Sequence, residues 1–264
     1  MTSPLNNQNQ YPKLRIVHLY PDLLNLYGDN GNVIALKLRA ERRGIETEII
    51  HRTVGEPLTA DEFDILFIGG GQDSQQNTVG QDLLHTKKEA IAEAANNNQV
   101  ILAICGGYQL LGHSVELHNG AKMEGLHIID AETRVGSGRL IGDTVYQADF
   151  LGAHAEDQAH DPQILFGFEN HGSRTYLGPN AQPLAKVLHG KGNNGEDSYE
   201  GARFNNVFCT YSHGSFLPKN PAMTDYLIEQ ALSKQTGQTV KLEAIDSRYE
   251  IEARRLLFKR LEAQ

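Results

Sequence analysis

The sequence predicts an α/β fold in three layers, with helices on both faces of a mostly parallel sheet and further helices toward the C-terminus. Apolar, β-branched runs alternate with segments of helical periodicity along the first part of the chain. Several of these runs lack the polar alternation of a half-exposed strand, which is typical of strands covered on both faces. Two of them end in glycine-rich turns, at the edge where parallel sheets gather functional residues.

Four strands and two helices are predicted in the first half of the chain. In order, we predict a strand over 14–20, a helix over 33–43, strands over 45–50 and 63–68, a helix over 83–96 and a strand over 99–104. The first helix has its apolar residues on one face and stops at Gly44, as helices often do. The third strand runs into glycines 69–71, and the fourth ends at Cys105.

The second half of the chain has a less regular pattern. It contains strand candidates at 163–169, 184–188 and 207–211, surface loops at 152–162 and 189–199, and helices at 222–233 and 247–262. We therefore expect a flexible tail over 1–12, an α/β domain over 13–221 and a C-terminal helical extension over 222–264, packed on or beside that domain.

The composition of the chain limits the kinds of molecule that it is expected to bind. The 264 residues carry a formal net charge of −9 and no basic patch, so a nucleic-acid surface is not expected. No apolar run approaches the roughly 20 residues of a membrane span, and the first residues lack the order of a signal peptide. Two cysteines fit a reducing, cytoplasmic compartment. No Cys/His pair has zinc-finger spacing, so no metal is expected.

Cys105 occupies a turn that would expose a nucleophile. Residues 104–108 read Ile-Cys-Gly-Gly-Tyr and pass from a strand directly into a helix. Such a turn needs small neighbours, and a helix N-terminus favours the thiolate. The amide of Gly106 would point to where an oxyanion develops. A lone cysteine at a strand end would be read as a core residue, as we read Cys209, but the glycines and the helix favour a nucleophile.

A cysteine nucleophile requires a base, and His213 is the best placed of the 11 histidines. It follows an apolar strand, in the sequence Thr-Tyr-Ser-His-Gly at 210–214. Without the cysteine motif it would be read as an ordinary loop histidine.

These residues resemble class I glutamine amidotransferases, in the branch shared with cobyric acid synthases. Residues 104–112 resemble the nucleophile motif, and 211–214 resemble the catalytic-histidine motif. Residues 66–73 resemble the glycine loop whose amide, here that of Gly70, completes the oxyanion hole. The resemblance implies a flavodoxin-like domain with a mostly parallel sheet.

Longer segments narrow the resemblance to the small subunit of lipid II isoglutaminyl synthase, the GatD type. They are 20–32, 104–112, 167–175 and 213–221. The resemblance implies a subunit that hydrolyses L-glutamine to glutamate and ammonia. A Mur-ligase-like partner would use the ammonia to amidate the α-carboxylate of D-glutamate in lipid II, during peptidoglycan synthesis. The chain has no Gly-x-x-x-x-Gly-Lys-Ser/Thr phosphate loop, so ATP and Mg²⁺ are expected in the partner.

The resemblance also implies residues that bind glutamine. An arginine shortly after the nucleophile helix would hold the α-carboxylate, because its guanidinium donates two parallel hydrogen bonds. Arg139 fits best and Arg134 is the second choice, with a solvated surface arginine as the alternative. Gln109 is expected to contact the backbone of glutamine, unless it has a packing role. His171 would border the glutamine pocket or be structural.

The sequence departs from the wider family at Ser215. Most class I members place a glutamate two residues after the histidine, where it orients the imidazole as the third member of a triad. The branch shared with cobyric acid synthases generally lacks that glutamate as well. We therefore hypothesise an acid from outside the local motif, with the synthetase partner as the favoured source.

Three alternatives stay open. The chain could be a stand-alone cysteine hydrolase on the same architecture, or a glutaminase serving another ATP-dependent amide synthetase, such as a cobyrinate-type enzyme. It could also be a silent binding subunit. The segments at 20–32 and 168–175 argue against the first, and the presence of both Cys105 and His213 argues against the last.

Overall fold

The computed structural model describes residues 11–71, 73–117, 119–157 and 159–262. Most of the predicted tail, residues 1–10, and Gln72 of the predicted glycine loop lie outside this range. In chain order the strands are β1 (Leu14–Leu19), β2 (Thr47–Arg52), β3 (Ile65–Ile68), β4 (Val100–Ile104), β5 (Ser114–Glu116), β6 (Lys122–Glu124), β7 (Ala131–Gln147), β8 (Ile164–Leu177), β9 (Ala185–His189), β10 (Tyr199–Glu200), β11 (Ala202–Phe204) and β12 (Val207–Thr210). The α-helices are α1 (Asn30–Glu41), α2 (Asp73–Asp82), α3 (Lys88–Asn96), α4 (Gly106–Leu111), α5 (Phe216–Lys219), α6 (Pro221–Thr236) and α7 (Arg248–Glu262).

The first sheet is mostly parallel, as predicted. Its strand order is β11-β12-β4-β3-β1-β2, and only the β11–β12 pair is antiparallel. Every residue of β3, β4 and β12 is buried, which accounts for the uninterrupted apolar sequences of β3 and β4 and for the apolar start of β12. In the register of the sheet, Thr210 of β12 lies opposite Ile104 of β4. The residues that follow these two strands therefore meet at one edge of the sheet.

The second sheet was not predicted. Its order is β10-β9-β7-β5-β6, with β8 also paired to β7, and most of its pairs are antiparallel. The candidate at 163–169 is the start of β8, and the candidate at 184–188 is β9 with a shift of one residue. Strand β7 was missed because glycines at 136, 138 and 142 and many half-exposed positions hide its pattern.

The predicted helices are present, with shifted ends. Helix α1 begins three residues before the predicted start, and a π-helical turn over Leu83–Lys87 precedes α3. Helix α2 was not predicted, because its sequence Asp-Ser-Gln-Gln-Asn-Thr-Val-Gly-Gln-Asp has no apolar periodicity.

The C-terminal helices pack on the rest of the chain. Helix α6 buries Leu227, Ile228 and Leu232 in the main hydrophobic core. Helix α7 packs against a smaller apolar cluster. Its buried Arg254 donates to the carbonyl oxygens of Ala159, Asp161, Ile164 and Lys219. No helix within the described ranges is long and apolar enough to cross a bilayer.

Candidate active site

Cys105 lies in a strained turn between β4 and α4. Its φ of 47° and ψ of −102° fall in a region that residues other than glycine rarely occupy. A Cβ atom added to Gly107 would lie 2.8 Å from the carbonyl oxygen of Ile68, so no side chain fits there. The strand–turn–helix geometry is the one expected of a nucleophile elbow. The nucleophilic role of Cys105 stays a prediction.

The two cysteines differ in their surroundings. The Cys105 backbone amide donates to the Thr210 carbonyl oxygen (2.8 Å), which fixes the turn against the end of β12. Cys209 lies within β12, is fully buried, and burial raises the pKa of its thiol. A buried neutral thiol fits the core role expected for Cys209.

His213 reaches the same edge of the sheet from β12. Its backbone amide donates to Phe168 of β8 (2.8 Å), and its side chain is fully buried. Gly70 packs between the histidine and the cysteine: a Cβ added there would lie 2.7 Å from His213 Cε1 and 3.2 Å from Cys105 Cβ. Burial alone would lower the pKa of His213, but interaction with Cys105 and Asp29 raises it to about 10. The site therefore favours the imidazolium form of His213.

Asp29 is a buried acid that sequence reasoning missed. Its Oδ1 lies 3.5 Å from His213 Nδ1, and both side chains are fully buried. Its Oδ2 accepts a 2.8 Å hydrogen bond from the amide of Gly70. The available signal was the sequence Gly-Asp-Asn-Gly at 28–31, which contributed to the family resemblance without a role.

The amides of the two predicted oxyanion donors, Gly106 and Gly70, differ in their hydrogen bonding. The amide of Gly106 is the first in α4, and such amides have no partner within their own helix. The amide of Gly70 is already bonded to Asp29. In this structure the Gly70 amide is not available to an oxyanion, and its predicted role requires that it exchange partners.

Arg139 is linked to the site by a short series of contacts. Its guanidinium donates to the side-chain and backbone oxygens of Asn170, both at 2.9 Å. The Asn170 amide donates to the Tyr27 hydroxyl (2.6 Å), and the Tyr27 ring lies edge-on to His213 with centroids 5.0 Å apart. Arg134 instead lies beside Glu132 and Tyr176. Contacts through Asn170 and Tyr27 thus connect Arg139, and not Arg134, to His213, and both arginines are exposed.

His171 and Gln109 meet at Tyr211. The His171 ring stacks on that of Tyr211 at 3.7 Å, and Gln109 Nε2 donates to the Tyr211 hydroxyl (3.1 Å). Burial lowers the pKa of His171 to about 4, so the ring is neutral near pH 7. Its Nδ1 donates to the carbonyl oxygen of Ser173 (2.8 Å), which leaves Nε2 as a buried hydrogen-bond acceptor. Contacts of Gln109 and His171 with glutamine stay predictions.

Two further buried ionisable side chains support the site. Arg174 donates to the carbonyl oxygens of Ser137 and Gly138, next to Arg139. Glu200 accepts hydrogen bonds from Thr210 Oγ1 (2.6 Å) and the Tyr211 amide (2.7 Å), just before His213. Arg174 lies in the resemblance segment 167–175 but was given no role there, and Glu200 lies outside the four segments; each acts through backbone that only the fold brings close.

The chain is similar to several known proteins. Residues 15–221 match the family model of the CobB/CobQ-like glutamine amidotransferase domain. The chain is 40% identical to the lipid II isoglutaminyl synthase (glutamine-hydrolyzing) subunit GatD of Staphylococcus aureus, over 96% of this chain and 98% of that protein. It is 38% identical to the Streptococcus pneumoniae subunit of the same name, over 93% and 91%. A cobyric acid synthase of Clostridium botulinum is 30% identical over 73% of this chain but only 39% of its own length.

Solved structures confirm the predicted fold class. Thermotoga maritima PurLQS matches with a TM-score of 0.54 and 15% identity, over 86% of this chain and 96% of that one. The glutaminase domain of Trypanosoma brucei CTPS, solved with bound acivicin, matches with a TM-score of 0.51 and 16% identity, over 89% and 98%.

Proposed function

Because the chain belongs to the CobB/CobQ-like glutamine amidotransferase domain family, we propose that it hydrolyses L-glutamine through a thioester on Cys105 and supplies the ammonia to a separate synthetase subunit. The observation that carries the proposal is the elbow cysteine, which packs against Gly70 on the side that faces His213. A thiol in a strained turn beside a buried imidazole is the arrangement that nucleophilic catalysis requires.

The reaction follows from these groups. The Cys105 thiolate attacks the side-chain amide carbon of glutamine, and the developing oxyanion accepts a hydrogen bond from the Gly106 amide. The His213 imidazolium gives its proton to the departing nitrogen, so that ammonia leaves and a thioester remains. A water molecule then loses a proton to His213 and attacks the thioester. Glutamate leaves, and the thiolate and imidazolium are restored.

Glutamine would be held by groups at the rim of this site. The Arg139 guanidinium can donate two hydrogen bonds to the α-carboxylate in place of those it gives Asn170. His171 Nε2 is an acceptor that fits the α-ammonium group of glutamine. Together these two contacts would recognise the α-carbon end of glutamine, which carries one anionic and one cationic group.

We propose lipid II as the acceptor, amidated on the α-carboxylate of its D-glutamate by a Mur-ligase-like partner in the cytoplasm. The support is the similarity to two GatD subunits over more than nine-tenths of the chain. ATP and Mg²⁺ would act in the partner, since the sequence has no phosphate loop.

The nucleophile test uses the complex with its synthetase. We expect Cys105→Ser and Cys105→Ala each to abolish glutamine-driven amidation and glutamate release, while amidation driven by ammonium chloride continues. Ammonia bypasses the thioester, so its use reports an intact partner. Cys209→Ser is the matched control and should keep both activities, because Cys209 lies in the core. Glutamate release by either Cys105 variant at the wild-type rate would contradict the proposal.

A further inference from the structure

Two buried polar atoms face each other in the site without another partner. Among the described residues, Asp29 Oδ1 and His213 Nδ1 are both completely shielded from solvent and have no conventional hydrogen bond. They are 3.5 Å apart. A buried polar atom without a partner is costly, so a carboxylate and an imidazole in this position stabilise each other.

Capping of its own helix does not explain why Asp29 is buried. It precedes α1, where an aspartate would normally cap the helix. Its side chain makes no capping hydrogen bond, and Asn25 Oδ1 accepts from the Asn30 amide instead (2.8 Å). The carboxylate points away from its own helix and into the site.

Asp29 is also the carboxylate that faces the imidazole of His213. Among the described residues, Cys105, Gly70, the ring of Tyr27 and, further away, neutral His171 also lie around that ring. The Lys219 ammonium is directed to the carbonyl oxygens of Gly214 and Ser215. These neighbours leave Asp29 as the anion able to accept from Nδ1.

Ser215 occupies the position where most class I members have a glutamate, and it contacts the loop that carries Asp29. Its hydroxyl donates to the carbonyl oxygen of Gly28 (2.6 Å), the residue before Asp29. A Cβ added to Gly31 would lie 2.2 Å from Ser215 Oγ, so the loops at 28–31 and 213–215 are in direct contact. The serine holds the turn that carries the acid and does not replace the acid.

We propose that Asp29 is the positioning residue of His213, and that its second oxygen ties the glycine loop to the same histidine through Gly70. Accepting a hydrogen bond from Nδ1–H fixes the tautomer and leaves Nε2 to exchange protons with Cys105 and substrate. This role rests on the glutaminase activity proposed above. It places the orienting acid in this chain and replaces our expectation that the partner supplies it.

The main test is Asp29→Asn in the complex, with Asp22→Asn as the control. Asp22 is an exposed aspartate in the same loop. The new amide can still accept from Gly70, but it offers an N–H to Nδ1 and so stabilises the wrong tautomer. We expect kcat for glutamine hydrolysis to fall by about 10²- to 10⁴-fold with little change in KM. The alkaline limb of the pH profile of kcat, which reports loss of the proton from His213, should move about 1–3 pH units lower.

Two further measurements keep the inference falsifiable if Asp29→Asn folds poorly. Ser215→Ala should shift the alkaline limb in the same direction by a smaller amount, because it releases only the Gly28 contact. In the wild-type protein, NMR of the His213 ring should show a far-downfield Nδ1 proton. A normal kcat and an unmoved pH limb in Asp29→Asn, or an Nδ1 without its proton, would overturn the role of Asp29. Glutaminase activity in Cys105→Ala would instead overturn the proposed function.

Discussion

At the scale of the residue, the exposure of Arg139 limits what it can contribute. Its two hydrogen bonds to Asn170 show that the guanidinium is oriented toward the site, but water competes for an exposed charge. We expect Arg139→Ala to raise KM for glutamine about tenfold, with a smaller effect on kcat. The loss of affinity should be smaller than the loss that follows removal of a fully buried charge. Arg139→Lys should recover little, because an ammonium cannot donate as a planar fork.

The matched control for this prediction is Arg134→Ala, measured by the same steady-state kinetics. Arg134 lies beside Glu132 and Tyr176, so its removal should leave KM unchanged. A raised KM in Arg134→Ala together with a normal KM in Arg139→Ala would reassign the carboxylate contact to Arg134.

Residues were predictable where the chemistry lies in a contiguous motif. Cys105 and His213 each follow an apolar strand and sit among small residues, so local sequence was enough to select them as candidates, and their catalytic roles stay predictions. Asp29 was not predictable, because an aspartate before a helix is ordinarily a cap. Its distance to His213 depends on the packing of two loops far apart in the chain.

At the scale of the element, Glu200 holds the end of β12 through hydrogen bonds from Thr210 and Tyr211. Burial raises the pKa of this carboxyl from 4.5 to about 7, although its bonds to Thr210 and Tyr211 act in the opposite direction. A carboxyl whose pKa is higher in the folded protein than in the unfolded chain stabilises the folded protein. This contribution is fully present when the pH is below the pKa of the unfolded chain, and it is lost as the pH rises through the pKa of the folded protein. We expect Glu200→Gln, which keeps an acceptor oxygen, to lose that dependence.

The measurement for Glu200 is a urea-unfolding series on both proteins. The quantity to follow is the free energy of unfolding of Glu200→Gln minus that of the wild type. This difference should rise by about 2–3 kcal/mol between about pH 5 and about pH 8. Parallel pH dependences of the two proteins would mean that Glu200 does not titrate in this range.

Strands were predictable from the sequence when all of their residues have the same degree of burial. Strands β3 and β4 are buried throughout, so their sequences are unbroken apolar runs. Strand β7 passes from buried to exposed surroundings and back, with a bulge between Val135 and Leu140. No single period describes such a strand, and the sheet that it forms with β8 could not be inferred locally.

At the scale of the whole molecule, the bond between Asp29 and Gly70 predicts how the synthetase partner would activate hydrolysis. The Cys105–His213 pair is assembled within the chain, but the Gly70 amide is engaged. We expect the isolated subunit and the complex to alkylate Cys105 at similar rates. Partner binding should nevertheless raise kcat for glutamine by about 10²- to 10³-fold, the range associated with one oxyanion donor.

Both rates should be measured side by side, hydrolysis at saturating glutamine and alkylation without it. A parallel increase in the two rates would mean that the partner acts on the Cys105–His213 pair itself. Equal hydrolysis rates would mean that the Gly70 amide exchanges partners without help.

The position of β12 between β4 and β11 has a consequence for protein synthesis. A ribosome releases Cys105 with β4 long before it releases the strand that leads to His213. Until then β4 has an open edge, which is a site of aggregation in a nascent chain, and its pairing with β12 is of the non-local kind that forms slowly. An unfinished polypeptide therefore carries the Cys105 thiol without the histidine proposed as its base, and we expect no ammonia release before translation has passed residue 213.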